Sequence, residues 1–328
     1  MGHRIRCCGA ALLLLTSMAA LPPAQGQAFP SKPIRIIVPT SPGGLNDLLS
    51  RALAQQVGES VGQPVVVENR PGAGSMIGMV ALAKSPPDGY TLAITTKEPL
   101  VYNPVLYSKL PYDADNDFSY VTHLVRTLGV IVANASAPGD TFPEMIAYAK
   151  ANPGKLNWAT WGPGSTPAIY LEWIKNKNGV DITAIPYKGA GPSIPAIVSG
   201  QVQLTYTGIG LVIPHVKSGK LKPLAITGAA RSTALPNIQN LAQFNSDPDF
   251  ASGFSVYAPA RTPMPVMERL SAEFRKALGT SQLQQIMAGT MEAVASTPAE
   301  FAAHIREEKA NAVTVFKTLG IKPTAAPE

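Results

Sequence analysis

The sequence predicts an α/β protein of two domains built from parallel βαβ units. Three observations carry this. Apolar runs of strand length alternate with helical patterns along most of the 328 residues. Glycine-rich loops follow several of the strands and open into helices. A unit of strand, glycine loop and capped helix near 34–57 occurs again near 156–177.

The first unit starts with Ile34-Arg35-Ile36-Ile37-Val38, which reads as a strand and breaks at Pro39-Thr40-Ser41-Pro42-Gly43-Gly44-Leu45-Asn46-Asp47. Gly43 and Gly44 allow a tight turn that exposes backbone N–H groups. Asn46 or Asp47 is the expected cap of a helix with Leu48, Leu49, Ala52, Leu53 and Val57 on one face. Gln63–Glu68 follows as a second strand, 69–75 as a glycine-rich turn and Met76–Lys84 as a helix. Pro86–Gly89 is a turn and Tyr90–Thr95 a third strand. This alternation gathers the loops at the carboxyl ends of the strands along one edge.

Gly129–Ala133 is the next strand candidate and Thr141–Ala151 the next helix, stopped by Asn152-Pro153-Gly154. Leu156–Thr160 runs into 161–167, where Thr166 as N-cap and Pro167 as first helical residue predict a helix to about Lys177. Ile182–Tyr187, Gln201–Tyr206 and Leu221–Thr227 read as short strands, separated by helices that begin near Pro192 and Leu211. A second α/β domain therefore runs from about Val130 to Phe250. The chain returns to sheet at Phe254–Ala258 and finishes in helices. Val266, Leu270, Phe274 and Leu278 recur at i+4 spacing, Thr297-Pro298-Ala299-Glu300 is a capping box, and Gly320 is a final stop.

The N-terminus has the three regions of a secretory signal peptide: basic Arg4 and Arg6, an apolar stretch from Ala10 to Leu21, then small residues at 22–28. The apolar stretch is too short to span a bilayer comfortably. Cleavage is expected after Ala28, with Gly26 as the other position. Both cysteines, Cys7 and Cys8, precede the apolar stretch, so a mature chain from 29 holds no thiol, no disulfide framework and no lipidation site after the signal. A soluble exported protein is expected. Removing the two arginines takes the formal charge from +6 to +4. That excess is spread without a basic run, which argues against nucleic acid and suits a gentle pull on small anions.

The glycine loops require a nucleotide site to be weighed. Gly72-x-Gly74-x-x-x-Gly78 has one residue too many for the dinucleotide fingerprint, no acid stands about 20 residues on, and no Walker lysine follows any loop. No Gly-x-Ser-x-Gly is present, and His123, His215 and His304 form no ligand pair in sequence. No catalytic residue, metal site or cofactor is expected. Asp47 is either a helix cap or a ligand contact. What remains is recognition. Two domains, each offering a glycine loop and a helix start at the edge of its sheet, suit a carboxylate held between them.

The residues also resemble a known family. Phe29-Pro30-Ser31-Lys32-Pro33-Ile34-Arg35, Pro42-Gly43-Gly44 with Asp47, the run 65–74, Pro87-Asp88-Gly89-Tyr90, Pro186-Tyr187-Lys188-Gly189, and Arg231-Ser232 through Pro236 are similar to the Bug (Bordetella uptake gene) or TctC-type receptors of tripartite tricarboxylate transporters. The likeness covers essentially the whole mature chain. It implies a periplasmic solute-binding protein of the type II periplasmic-binding-protein fold, with two βα domains joined by two crossover strands and the ligand in the cleft. The implied boundaries are 1–28 for the signal, 29–129 plus 252–328 for domain 1, and 130–251 for domain 2. The implied partners are a small organic acid and the integral membrane permease subunits; a monomer is expected.

The resemblance points to Gly43, Gly44, Leu45, Asn46 and Asp47 on one wall and to Trp161, Gly162, Ser165 and Thr166 on the other. Thr95, Thr96, Gly189, Thr207 and Gly208 complete the cleft. Leu45-Asn46 stand where the family usually has glycine and threonine, and 207–210 where an aspartate-asparagine pair is common, which makes an ammonium-bearing ligand less favoured. Trp161 replaces a small residue. Its indole either stacks on an aromatic acid of the terephthalate type or narrows the pocket for a short aliphatic diacid. An exported hydrolase or isomerase acting on a carboxylate, and a receptor feeding a membrane sensor, are the rival readings.

Overall fold

The computed structural model describes residue 2 and residues 29–228, 231–244, 250, 253–318 and 323–326. The expected signal segment (apart from residue 2), the 251/252 domain boundary and the stop at Gly320 lie outside the described residues. β1 (Ile34–Val38) leads into α1 (Leu45–Val61), β2 (Val65–Asn69), α2 (Met76–Ala83) and β3 (Thr91–Thr95). Two one-turn helices, α3 (Glu98–Val101) and α4 (Asn103–Leu106), precede β4 (Phe118–Thr127) and β5 (Gly129–Asn134). Next come α5 (Phe142–Ala151), β6 (Asn157–Thr160), α6 (Thr166–Asn178), β7 (Thr183–Pro186), α7 (Ala190–Val198), β8 (Leu204–Gly208), α8 (Ile209–Lys217) and β9 (Leu221–Thr227). The last elements are β10 (Gly253–Pro259), α9 (Met264–Leu278), α10 (Ser281–Met287), β11 (Met291–Ala293) and α11 (Pro298–Thr318).

Two sheets result, ordered β11-β4-β10-β3-β1-β2 and β7-β6-β8-β5-β9. Parallel pairing holds for β1 with β2 and β3, and for β6 with β7 and β8. The chain crosses between sheets twice, from β4 to β5 and from β9 to β10. At each crossing the strands pair antiparallel: β10 lies between β3 and β4, and β5 between β8 and β9. β4 escapes an apolar-run reading because Ser119, His123 and Arg126 interrupt it, and α3, α4 and β11 are too short to carry a period.

Helices cover both faces of each sheet, which explains why β1 reads as a nearly unbroken apolar run: Ile34, Ile36, Ile37 and Val38 are all buried. The core against α1, α9 and α10 is confined to the first sheet, and that against α7 and α8 to the second. The third core runs through both lobes, where Phe250 meets Tyr102 and Tyr170 edge-on at 6.5 and 5.2 Å. The expected apolar face of α1 holds except at Leu48, which is 48% exposed; the buried stripe is Leu45, Leu49, Leu53 and Val57, one turn apart. At the C-terminal end the capping box forms as expected, with Thr297 N–H donating to Glu300 and Glu300 N–H to the Thr297 hydroxyl.

Candidate functional site

A cavity of about 420 Å³ lies between the lobes at the carboxyl ends of the strands. Five helices begin at its wall. Their N-caps, Gly44, Ser75, Ser165, Gly189 and Gly208, all line it, and none makes a side-chain capping hydrogen bond. The first-turn N–H groups of a helix have no intrahelical acceptor, so five positive helix ends converge on one space, with the first N–H of α8, that of Ile209, already donated to the Leu128 carbonyl at 3.0 Å. Two come from the first lobe, α1 and α2, and three from the second, α6, α7 and α8.

The backbone makes this approach possible through glycine. Gly164 has φ +79, and a β-carbon there would lie 2.7 Å from the Asn103 side chain. Gly189, at φ +124, faces Thr40 and the Ser41 N–H across the cleft. Behind the wall, the hydroxyls of Thr40 and Thr207 are buried without a hydrogen-bond partner, and Thr207 is wholly enclosed. Both residues line the cavity. Each is an unpaired hydroxyl beside the cavity.

Of the residues expected from sequence, Gly44, Leu45, Asn46, Thr96, Trp161, Gly162, Ser165, Gly189, Thr207 and Gly208 line this cavity. Gly43, Asp47, Thr95 and Thr166 do not: Asp47, Thr95 and Thr166 are buried one layer back, and Gly43 is exposed at the surface of its loop. Asp47 is not the cap of α1 but braces the loop before it from inside the helix: its carboxylate accepts the Gly43 N–H at 3.0 Å, the Asn69 amide at 3.0 Å and the Arg51 guanidinium at 3.0 Å. Burial pushes its carboxyl up, yet Arg51, the Gly43 N–H and Asn69 together hold it below the usual carboxylate value. The cap of α1 is Gly44, so Asn46 is not a cap either, and its amide turns away to the Ile94 carbonyl at 2.9 Å. Thr95 is buried in β3, its hydroxyl unpartnered there.

α6 starts one residue earlier than expected, with Ser165 as N-cap and Thr166 already helical. Ser165 ties its own loop instead of capping: its hydroxyl donates to the Gly162 carbonyl at 2.6 Å and accepts the Trp161 N–H at 3.2 Å. The Trp161 indole N–H points to Ser193 at 3.3 Å, and the ring packs on the α7 and α8 core while lining the cavity. It therefore both fills and faces the pocket. Sequence reasoning passed over Ser75, Lys188 and Glu98, which also line it. Lys188 sits within a run that carries the family resemblance and Ser75 directly follows one, a signal that was there to use; Glu98 lies in a one-turn helix with no sequence signature.

The histidines isolated in sequence meet in space. His123 and His304 stack with ring centroids 5.2 Å apart in a second cavity formed against α11, away from the cleft. Burial, then the charge of His304, pushes His123 down to about 4. Among the described residues no group of three or more His, Cys, Asp or Glu could hold a metal ion, and no helix is long and apolar enough to cross a membrane.

Comparison with known proteins matches residues 49–321 to the tripartite tricarboxylate transporter family receptor, TctC. The protein BugT of Bordetella pertussis is 33% identical over 304 residues, covering 92% of this chain and 93% of that protein. The periplasmic binding protein BugD superimposes with a TM-score of 0.86 at 26% identity, over 90% of this chain and 100% of that one. Rpa4515 of R. palustris, solved with adipate, superimposes with a TM-score of 0.85 at 31% identity, again over 90% and 100%.

Proposed function

This chain belongs to the TctC family of tripartite tricarboxylate transporter receptors, and we propose that it captures a small organic acid in the periplasm and delivers it to the membrane subunits of such a transporter. The observation that supports this best is the convergence of five helix N-termini, none capped by a side chain, on one cavity. Each helix start favours an anion by roughly 0.3–1 kcal/mol. Carboxylate oxygens would take backbone N–H groups of α1 and α7 and the hydroxyls of Thr40 and Thr207. The lobes, 29–129 plus 252–328 and 130–251, would close on the ligand as a monomer, with no chemistry done to it. Adipate in Rpa4515 supports the ligand class, and Trp161, which lines the cavity, would either stack on an aromatic acid or narrow the space for a short aliphatic one.

A thermal-shift screen of the mature chain against aliphatic and aromatic acids tests the reading. A ligand at 100 times its dissociation constant adds about 2.7 kcal/mol to the folded state. A panel in which no acid raises the melting temperature would overturn it. Turnover of a stabilising acid on long incubation would overturn the binding-only part.

A further inference from the structure

The cavity carries an acid of its own. Glu98 lines it, is 6% exposed, and its carboxylate accepts the hydroxyl of Thr166, the first residue of α6. That contact places a carboxylate beside the first turn of α6, bonded to a side chain there, where the positive end of the helix favours an anion.

The contacts across the cleft show that its two sides differ. On one side Thr40, Ser41 and Gly44 approach 188–191. On the other, Glu98 meets Thr166, and Asn103 meets Gly164. The donors Thr40 and Thr207 go with the first side, where Gly208 abuts Leu45 at the start of α1. Lys188, the cation among the lining residues, is exposed and belongs to that side as well. One side therefore offers donors, and the other is already supplied with an anion.

We infer that Glu98 fills the second anion subsite of the cleft, so that the ligand is a monocarboxylate whose far end is neutral or donates a hydrogen bond, and diacids are selected against. This rests on the carboxylate reading above and narrows it. A second ligand carboxylate brought beside Glu98 would face a like charge that is itself almost wholly buried, where repulsion is screened less than in open water. A hydroxyl or amide N–H there finds an acceptor.

Calorimetric titration of the mature protein with two matched series tests this: hexanoate, ω-hydroxyhexanoate and adipate, and benzoate, 4-hydroxybenzoate and terephthalate. In the series that binds, the monoacid or hydroxy acid is expected at least tenfold tighter than the diacid. Glu98→Gln is expected to shift that ratio at least tenfold toward the diacid. A wild-type protein that holds the diacid as tightly as its monoacid overturns the inference and leaves the carboxylate reading standing, and this comparison does not depend on the variant folding. A folded Glu98→Gln protein with an unchanged ratio also overturns it. Binding of none of the six acids overturns both.

Discussion

Ser41, in the loop after β1, donates its hydroxyl to the Lys188 carbonyl at 2.8 Å, so that loops from different lobes are joined across the cleft. The Ser41 N–H points to the same oxygen at 3.4 Å. Next to this contact, a β-carbon on Gly191 would lie 2.5 Å from the Pro42 carbonyl oxygen. Gly191→Ala should therefore hold the lobes apart and weaken binding of the best stabilising acid tenfold or more. The unliganded protein should also melt somewhat lower, because the same clash with backbone outweighs the better helix propensity of alanine in the first turn of α7. Titration calorimetry checks it, and undiminished affinity would remove the latch.

Thr207→Val should separate binding from stability. The hydroxyl it removes is buried without a partner, so replacing it with a methyl group is expected to leave the denaturation midpoint unchanged or raise it slightly. Affinity should fall roughly tenfold with the loss of one hydrogen bond to a charged group. A variant that loses stability as well as affinity would show that Thr207 has a structural role.

Asp47→Ala should do the opposite. Its carboxylate holds the Gly43 N–H and the Asn69 amide behind the cavity wall, and its ion-pair partner Arg51 is half exposed and contributes little. A loss of about 1–2 kcal/mol is expected in urea unfolding, as for other buried polar groups left unpaired. Reduced affinity at full stability would instead make Asp47 a ligand contact.

His123 predicts a pH dependence with a definite sign. Above pH 6.5 its ring is neutral folded and unfolded. Below that, the unfolded chain takes up a proton that the folded one, with His304, Lys97 and Arg126 near, refuses until about pH 4. Stability should therefore fall as pH drops from 6.5 toward 4, by at most about 3 kcal/mol. The carboxyl of Asp47, held below its model-compound value of 3.8, loses its contribution only at lower pH, which keeps the windows apart. His123→Gln should flatten the decline in thermal melts between pH 6.5 and 4.5; an unchanged slope would assign it elsewhere.

Much of the fold was legible because its signals are local. β9 falls on its predicted bounds, and α7 and α8 begin within two residues of their expected starts. The helix starts near Gly44 and Ser165 were legible to within a turn, with the caps expected at Asn46 or Asp47 and at Thr166, since glycine turns, proline and small polar residues act within one turn of chain. The one-residue error at Thr166 and the misplaced Leu48 mark the limit of that reading. A period identifies a helix, but the neighbours it packs against decide its rotation and end.

By itself the sequence determined a chain of alternating strands and helices whose glycine loops gather at one edge, because helix starts and strand ends follow from residues close in the chain. Only the tertiary structure decided which side chains face the space between those loops. Glu98 comes to Thr166 from 68 residues away, and Ser41 to Lys188 from 147. No short-range pattern encodes such meetings, since they depend on how two separately packed sheets are set against each other. On the reading proposed above, the choice among acids would rest on these long-range meetings, and on Glu98 above all.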